Sequence, residues 1–576
     1  MKSKILSFIK ENNLSAFNST KSALNLKQES VYKTRDAKSI HIRTLQKISQ
    51  NFIFADTANI FNLFTFTKDI EELIRRQNFF REISQNKISN KFLEKLKTPK
   101  SWWKPRYDVL VVTEDAETFT SLKKMGCPAK MLVSESDVSL LESCDVVQII
   151  KCDEFSLALE SLPQAVFFKK IDEVYLERYL ELFSGWIDNL NLLNNNIRLG
   201  KINEIVQELI PLTELTNSGE SNSLDPDKLT DKILEANSII SEKIKQLTLS
   251  GASLVDILSK RILPIELKQI VEQTITELNI PRGTVNIGIP LSLDEEELNN
   301  IIQRQTANEF SSLAEKVKEN SNKLKNIPKK LEELSDEILF FDFVSGISQF
   351  INSEMYFPEF SEELLIENSK SLLIENPKPI SFRLSEKEKC SILTGANSGG
   401  KTTLIEHILQ LISLSQIGLP LFGKIRIPLF SEVYYFAKNK GSMSKGAFET
   451  LLTQMSEIKP GNKTFILADE IESVTEPGVA GNIIAATADY YIKQNCFLII
   501  ATHLGYEIQK MLPANSRIDG IEAKGLTENF DLIVNHNPVL GRLAHSTPEL
   551  IVEKMANKEN KEYFKYLHNY LKSRAK

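Results

Sequence analysis

Ser391-Ile-Leu-Thr394-Gly395-Ala-Asn-Ser-Gly-Gly400-Lys401-Thr402-Thr403 is the stretch from which the rest of the chain is read. Ser391 to Thr394 has the pattern of a short buried strand and runs directly into Gly395-x-x-x-x-Gly400-Lys401-Thr402. Beyond it, Leu404, Ile405, Ile408, Leu409 and Ile412 fall at helical spacing. Strand, glycine loop, helix is the setting that turns such a loop into a phosphate site. Glycines let consecutive backbone N–H groups converge on one anion, and the helix N-terminus adds a partial positive charge. In this reading Gly395, Ala396, Asn397, Ser398, Gly399, Gly400, Lys401, Thr402 and Thr403 hold a nucleoside triphosphate. Lys401 bridges its β- and γ-phosphates, and the Thr402 hydroxyl ligates Mg²⁺.

Two further strands complete the constellation. Thr464-Phe-Ile-Leu-Ala-Asp469-Glu470 describes a buried parallel strand that delivers carboxylates at its C-terminal edge. Asp469 is suited to orient the Mg²⁺ shell, and Glu470 to polarise an attacking water as general base. Cys496-Phe-Leu-Ile-Ile-Ala-Thr502 ends at His503, in the layer where ligands bind in open α/β sheets, within reach of a γ-phosphate. A lone histidine there is more often structural. Its place after Asp469-Glu470 matches the switch histidine of ABC-type ATPases.

Bulk properties bound the rest. With 576 residues the chain exceeds one hydrophobic core, and about three to five domains are expected. Composition is that of an ordinary globular protein, 42% hydrophobic and 25% charged. The longest apolar run, 404–422, is broken by Glu406, His407 and two glutamines, so no membrane span is expected. Met1-Lys-Ser-Lys-Ile-Leu-Ser-Phe-Ile-Lys10 has too short an apolar core for a secretory signal and reads as a helix. Five cysteines without a Cys-x-x-Cys pair argue against a disulfide framework or a thiolate zinc site and for a reducing, cytoplasmic setting. The formal net charge is −6, yet the first hundred residues hold 19 Lys and Arg against 9 Asp and Glu, a basic end compatible with phosphate contact.

Periodicity divides the chain further. Residues 1–50 read as a helical basic segment. Residues 51–104 open a helical core, with Ile70, Leu73, Ile74, Phe80 and Ile83 at helical spacing and Thr67 as N-cap. Pro99 and Pro105 flank Trp102-Trp103, and strand–helix–strand alternation over 105–171 then reads as a small α/β unit with no phosphate loop. Residues 172–360 are helical core, arm and lever, interrupted only by the strand-like Thr284–Leu291. The P-loop domain occupies 361–545, and a basic helix ends the chain at 546–576. The expected fold is an α/β P-loop (ABC-type) ATPase domain at the C-terminus, preceded by a mostly helical core and lever region with a small inserted α/β unit.

Together these residues resemble the MutS family of DNA-repair ATPases. GANSGGKTT at 395–403 is similar to the family's Gly-Pro-Asn-x-Gly-Gly-Lys-Ser-Thr loop, and IATHL at 500–504 to its Ala-Thr-His. Gln416-Ile-Gly418-Leu-Pro420 looks like its Gln/Tyr-Ile-Gly-x-x-Val-Pro segment, and LADEIESVTEPG (467–478) sits where the family has Leu-Asp-Glu-Leu-Gly-Arg-Gly-Thr-Ser. Residues 67–83 and 339–360 look like the helix entering the family's core and its returning lever. The strong motifs cover 390–505, and the weaker ones extend the match to about half of the chain.

The chain also departs from the family. The Ser-Thr-Phe signature that reaches across a dimer to the partner's nucleotide appears as Ser444-Lys-Gly446-Ala-Phe448, without the hydroxyl pair, and Pro477-Gly478 is off-pattern. Both are similar to divergent, mostly archaeal members. Too little chain precedes the core helix to hold a mismatch-recognition domain, and Phe80-Arg-Glu82, which fits the wedge pattern, lies within an expected helix. The resemblance implies an ATP- and Mg²⁺-dependent homodimer with no membrane partner. Such a dimer clamps branched or non-standard DNA by structure, not by base sequence, in repair or recombination. A soluble ABC-type ATPase subunit acting on a protein or membrane partner is the alternative, and a scaffold that binds ATP without turnover is a third.

Overall fold

Runs of β-branched and aromatic residues build two parallel sheets, one in each of two compact units of the computed structural model. The structure describes residues 1–17, 31–85, 87–194, 200–216, 225–247, 263–395, 400–437, 445–470, 477–526, 532–534, 537–544, 548–559 and 561–574. One unit is Pro99–Leu334; the other joins Met1–Thr98 to Ser335–Lys576. The boundary at Leu334 falls inside the helix Ile327–Phe350.

In the unit Pro99–Leu334, strands β1 (Val109–Thr113), β2 (Ala129–Met131), β3 (Val146–Ile150) and β4 (Ala165–Phe168) form a sheet of order β2-β1-β3-β4. All its pairs are parallel. Every residue of β3 is buried, as expected of a strand covered on both faces. The last strand, β4, has only four residues, too few to show a period in the sequence. Gln148 on β3 and Tyr107 both donate to the buried Glu177 carboxylate, at 3.1 and 3.3 Å. Burial pushes that carboxyl above the usual range. Helices Pro226–Lys245, Ile265–Glu277 and Glu295–Glu319 follow. The strand-like stretch between the second and third of them is only Val285–Asn286, paired with Ser292–Leu293.

The other unit contains β5 (Glu359–Phe360), β6 (Leu364–Ser369), β7 (Ile380–Leu384), β8 (Cys390–Gly395), β9 (Lys424–Ile427), β10 (Glu432–Phe436), β11 (Thr464–Asp469), β12 (Phe497–Ala501) and β13 (Ser516–Ile521). The smaller sheet runs β7-β6-β9-β5 and the larger β10-β11-β12-β8-β13. Every pair in the larger sheet is parallel. Phe430, Phe465 and Phe497 pack as one aromatic cluster at one end of it. The register pairs Asp469 and Leu393 each with Ala501, so β8, β11 and β12 all end at one edge.

Residues 31–37 line the outer edge of β10. Lys33 N–H donates to Val433 O at 2.9 Å, Val433 N–H to Val31 O at 2.8 Å, and Tyr435 N–H to the Thr34 hydroxyl at 2.9 Å. The edge strand is thereby covered, which removes a template for pairing with another chain. Helix Arg35–Ser49 then packs on the helix Lys401–Ile417, where Tyr32 stacks on His41 at 4.7 Å and both meet the Ser413 hydroxyl at 3.1 Å. Four lysines of this basic end pair with carboxylates within the unit. Lys2 pairs with Glu337 at 2.9 Å, Lys4 with Glu72 at 3.6 Å, Lys10 with Asp336 at 3.6 Å and Lys33 with Glu432 at 3.6 Å.

The helix with the expected core spacing is Ile70–Gln85. Its first turn is capped by Asp69, which accepts from Glu71 N–H at 2.9 Å, while Thr67 accepts from Asp69 N–H. Phe80 is fully buried against Phe64 and so cannot stack on a base. On the helix Ile327–Phe350, the buried Asp342 carboxylate accepts from Ile53 N–H, Phe54 N–H, the Thr57 hydroxyl and the Asn90 amide at 2.6 to 3.1 Å. At the C-terminus two helices, Pro548–Lys558 and Glu562–Arg574, pack together where one was expected.

Candidate functional site

The edge at which β8, β11 and β12 end gathers the chemistry. Gly395 closes β8 with φ +133°, and a Cβ there would lie 2.3 Å from Ile521 O on β13. Glycine is therefore demanded at this position by the neighbouring strand, independently of any phosphate. The helix Lys401–Ile417 starts after Gly400, which has φ +96°. Ala396, Asn397, Ser398 and Gly399 lie outside the described residues.

Lys401 is 3% exposed. Its ammonium donates to Gly395 O at 2.7 Å and sits 3.8 Å from Glu470 Oε1 and 3.4 Å from His503 Nε2. His503 Nε2 is also 2.7 Å from Glu470 Oε1. An ammonium only donates and a carboxylate only accepts, so the shorter contact places the proton on Nε2, donating to Glu470. Glu470 is 7% exposed and adopts φ +50°, left-handed for a residue with a side chain. Its own N–H donates to Ala501 O at 2.9 Å, which holds this turn against β12. Such a backbone costs on the order of 1–3 kcal/mol and persists where the surroundings over-determine it.

The Thr402 hydroxyl donates to Asp469 Oδ2 at 2.5 Å, and Asp469 is 1% exposed. A hydroxyl and a carboxylate at one helix N-terminus form an all-oxygen donor pair, the type that suits Mg²⁺ and disfavours softer metals. Among the described residues no group of three or more His, Cys, Asp or Glu could hold a metal ion by itself. A hydroxyl–carboxylate pair fits a cation whose other ligands come from phosphate and water.

A cavity of about 320 Å³ opens beside Gly400 and Thr403. Ile374, Pro377, Ile380 and Leu404 give it apolar walls, and Ser371 and His407 add polar groups. Burial lowers the His407 imidazole to about 4, so it is neutral; Nε2 meets the Ser369 hydroxyl at 3.0 Å. Sequence patterns did not locate this cavity, because its walls come from the loop between β6 and β7 as well as from the P-loop helix. His407 was visible only as a polar break in an apolar run.

The remaining expected positions divide. Ser444 lies outside the described residues. Of Gly446 and Phe448 only the backbone is described, within the helix Lys445–Ser456. Gln416-Ile-Gly418 is a joint between helices. Gln416 donates to Phe430 O at 2.8 Å, and Gly418, at φ +93°, ends the P-loop helix where a Cβ would come 2.9 Å from Arg76 Cβ. All five cysteines are free thiols, and among the described residues no helix is long and apolar enough to cross a membrane.

No family model matches the chain. It is similar to the "DNA-binding protein MutS2" of Pyrococcus furiosus, with 29% identity over 93% of this chain and 98% of the relative. It also resembles the "Endonuclease MutS2" of Fusobacterium nucleatum, at 24% identity over 64% of this chain and 48% of the relative. A third relative, the "Endonuclease MutS2" of Helicobacter pylori, is 27% identical over 28% of this chain and 23% of its own length. Over nearly its full length the chain is thus similar to a protein of MutS2 name, and Lys401, Thr402, Asp469, Glu470 and His503 meet at one sheet edge, which together support the resemblance to the MutS family.

Proposed function

We propose that this protein is an ATP-dependent DNA-binding protein of MutS type, whose ABC-type ATPase domain is the C-terminal P-loop sheet. In this reading it hydrolyses ATP at a homodimer interface and thereby controls clamping on branched or non-standard DNA. The observation that carries it is the cluster of Lys401, Thr402, Asp469, Glu470 and His503 at the C-terminal edge of one parallel sheet. DNA as partner is supported by the near full-length relative's name. The nuclease in the other relatives' names is not carried over, since those matches span half or less of their lengths.

Each side chain has a separate task in this proposal. Lys401 leaves Gly395 O and Glu470 and turns to the β- and γ-phosphates. That exchange frees the Glu470 carboxylate to accept the proton of an attacking water, while His503 fixes its orientation. Thr402 and Asp469 would hold Mg²⁺, which would supply neutralisation of phosphate charge when bound. The nucleotide base fits the cavity beside Gly400 and Thr403. Ser444, Gly446 and Phe448 reach the partner protomer's nucleotide. Coupling to DNA arises when nucleotide state changes the arrangement of elements that both ligands bias.

Phosphate release measured alone and with blunt duplex, mismatched, forked and four-way DNA tests the proposal. Stimulation by forked or four-way DNA is expected, with loss of nucleotide binding and turnover in Lys401→Ala. Equal rates for wild type and Lys401→Ala, or no DNA binding at low salt, would overturn it.

A further inference from the structure

The charge surplus near the N-terminus is not spent uniformly. Its first lysines are paired with carboxylates, as described above, whereas residues 99–106, Pro-Lys-Ser-Trp-Trp-Lys-Pro-Arg, carry three cations and no acid. From Trp102 to Tyr107 exposure alternates, and Ser101 beside Lys100 is exposed as well. Lys100, Trp102, Lys104 and Arg106 face out, while Trp103 and Tyr107 are buried and Pro105 is half-buried. A two-residue alternation is the mark of an extended backbone, in which every second side chain shares a face. Pro105 restricts the preceding Lys104 to that conformation. Among the described residues neither Lys100 nor Lys104 makes an ion pair.

Trp102 is 62% exposed, against 8% for each of Trp103 and Trp186. An indole so exposed is ordinarily mobile, yet this one is pinned. Its Nε1–H donates to Ser184 O at 2.9 Å, and its backbone N–H to the Ser184 hydroxyl at 3.2 Å. The adjoining Gly185 lies against the Lys100 backbone so closely that a Cβ would come within 2.9 Å. The ring is thus held in place with its one donor already satisfied, leaving an open π-surface between two lysines.

We infer that Lys100, Trp102 and Lys104 form a stacking platform for unpaired bases of single-stranded DNA. Bases stack on the fixed indole and the lysines neutralise the flanking phosphates, a combination that grips a strand without reading its sequence. The partner is an unpaired strand because a duplex keeps its base faces stacked on one another and offers an indole nothing to cover. The inference rests on the DNA-binding reading above and names the strand state that this surface takes.

Titration of the full-length protein with oligothymidylate and with blunt duplex, followed by tryptophan fluorescence and by anisotropy of labelled DNA, tests it. Oligothymidylate should quench the emission, since Trp102 is the exposed tryptophan. Trp102→Phe should lose the quench and keep affinity within about threefold. Trp102→Ala should weaken oligothymidylate binding by about 5- to 150-fold and blunt-duplex binding far less. Lys100→Ala with Lys104→Ala, both surface truncations, should lower the slope of log affinity on log salt by about 1.4 for single strands. DNA-free phosphate release unchanged in these variants shows that the fold is intact. Wild-type quenching that is absent, or single-strand affinity equal in wild type, Trp102→Ala and the double lysine variant, overturns the platform. If forked DNA still binds and stimulates phosphate release in that case, only the platform falls; if no DNA binds at all, both readings fall.

Discussion

Glu470→Gln separates the two tasks proposed for one carboxylate. Glu470 Oε1 lies 3.8 Å from the Lys401 ammonium and 2.7 Å from His503 Nε2. At that separation, with an effective dielectric of about 20, unit charges interact by about 4 kcal/mol. The same charge repels an incoming γ-phosphate, so a carboxylate here opposes ATP both by holding the lysine and by repulsion. Glutamine removes both effects and keeps the shape, and its amide oxygen still accepts from His503. Since solvent and neighbouring dipoles absorb much of the Coulomb energy, a net gain of about 1.4–2.8 kcal/mol is expected, which is 10- to 100-fold tighter ATP binding. Without nucleotide, Lys401 loses its buried counter-charge, so the free protein should melt lower than wild type and gain more from ATP. Turnover should fall by about 10²- to 10⁴-fold with the general base removed. Equilibrium ATP binding, melting with and without ATP, and single-turnover phosphate release read these quantities. ATP binding no tighter than wild type, together with phosphate release within threefold, would refute the reasoning.

Two further outcomes follow from packing and titration. Gly418→Ala combines a left-handed backbone with a methyl group driven toward Arg76 Cβ, and should cost roughly 2–3 kcal/mol, read as a lower denaturation midpoint; an unchanged midpoint would contradict the joint described here. His41 and His407 are both lowered to about 4 by burial, so the unfolded chain takes up their protons first as pH falls through 6.5. Each contributes stability that is complete above about pH 6.5 and lost toward pH 4, roughly 3 kcal/mol apiece. His407→Gln should remove about one proton from the slope of stability against pH in that window. A slope equal to wild type would show that His407 titrates normally in the folded state.

Local pattern and spacing placed Gly395, Lys401, Asp469-Glu470 and His503 at the ends of strands and at a helix start, which is where the structure has them. All but Lys401 stand at the end of a buried strand, and a run of β-branched residues followed by glycine or acid is visible within a few positions. The same locality explains why the strand–helix–strand unit within 105–171 and the helix Ile70–Gln85 were legible. Contacts between distant segments were beyond its reach. That Lys401 lies between Gly395 O, Glu470 and His503 depends on three strands ending at one edge, and no spacing in the chain encodes the resulting 2.7 to 3.8 Å distances. Gly395 reads as part of a phosphate loop, yet β13, over a hundred residues later, is what forbids a side chain there. The basic N-terminus read as a free anion-binding end because composition counts charges without their partners. Folding brings Glu72, Asp336, Glu337 and Glu432 onto four of those lysines, while Lys100 and Lys104 beside Trp102 stay exposed. The sequence by itself determined which residues can carry the chemistry, since strand and helix periods are local. The tertiary structure decided which of them are already engaged, because burial and ion pairing are settled only when remote segments meet.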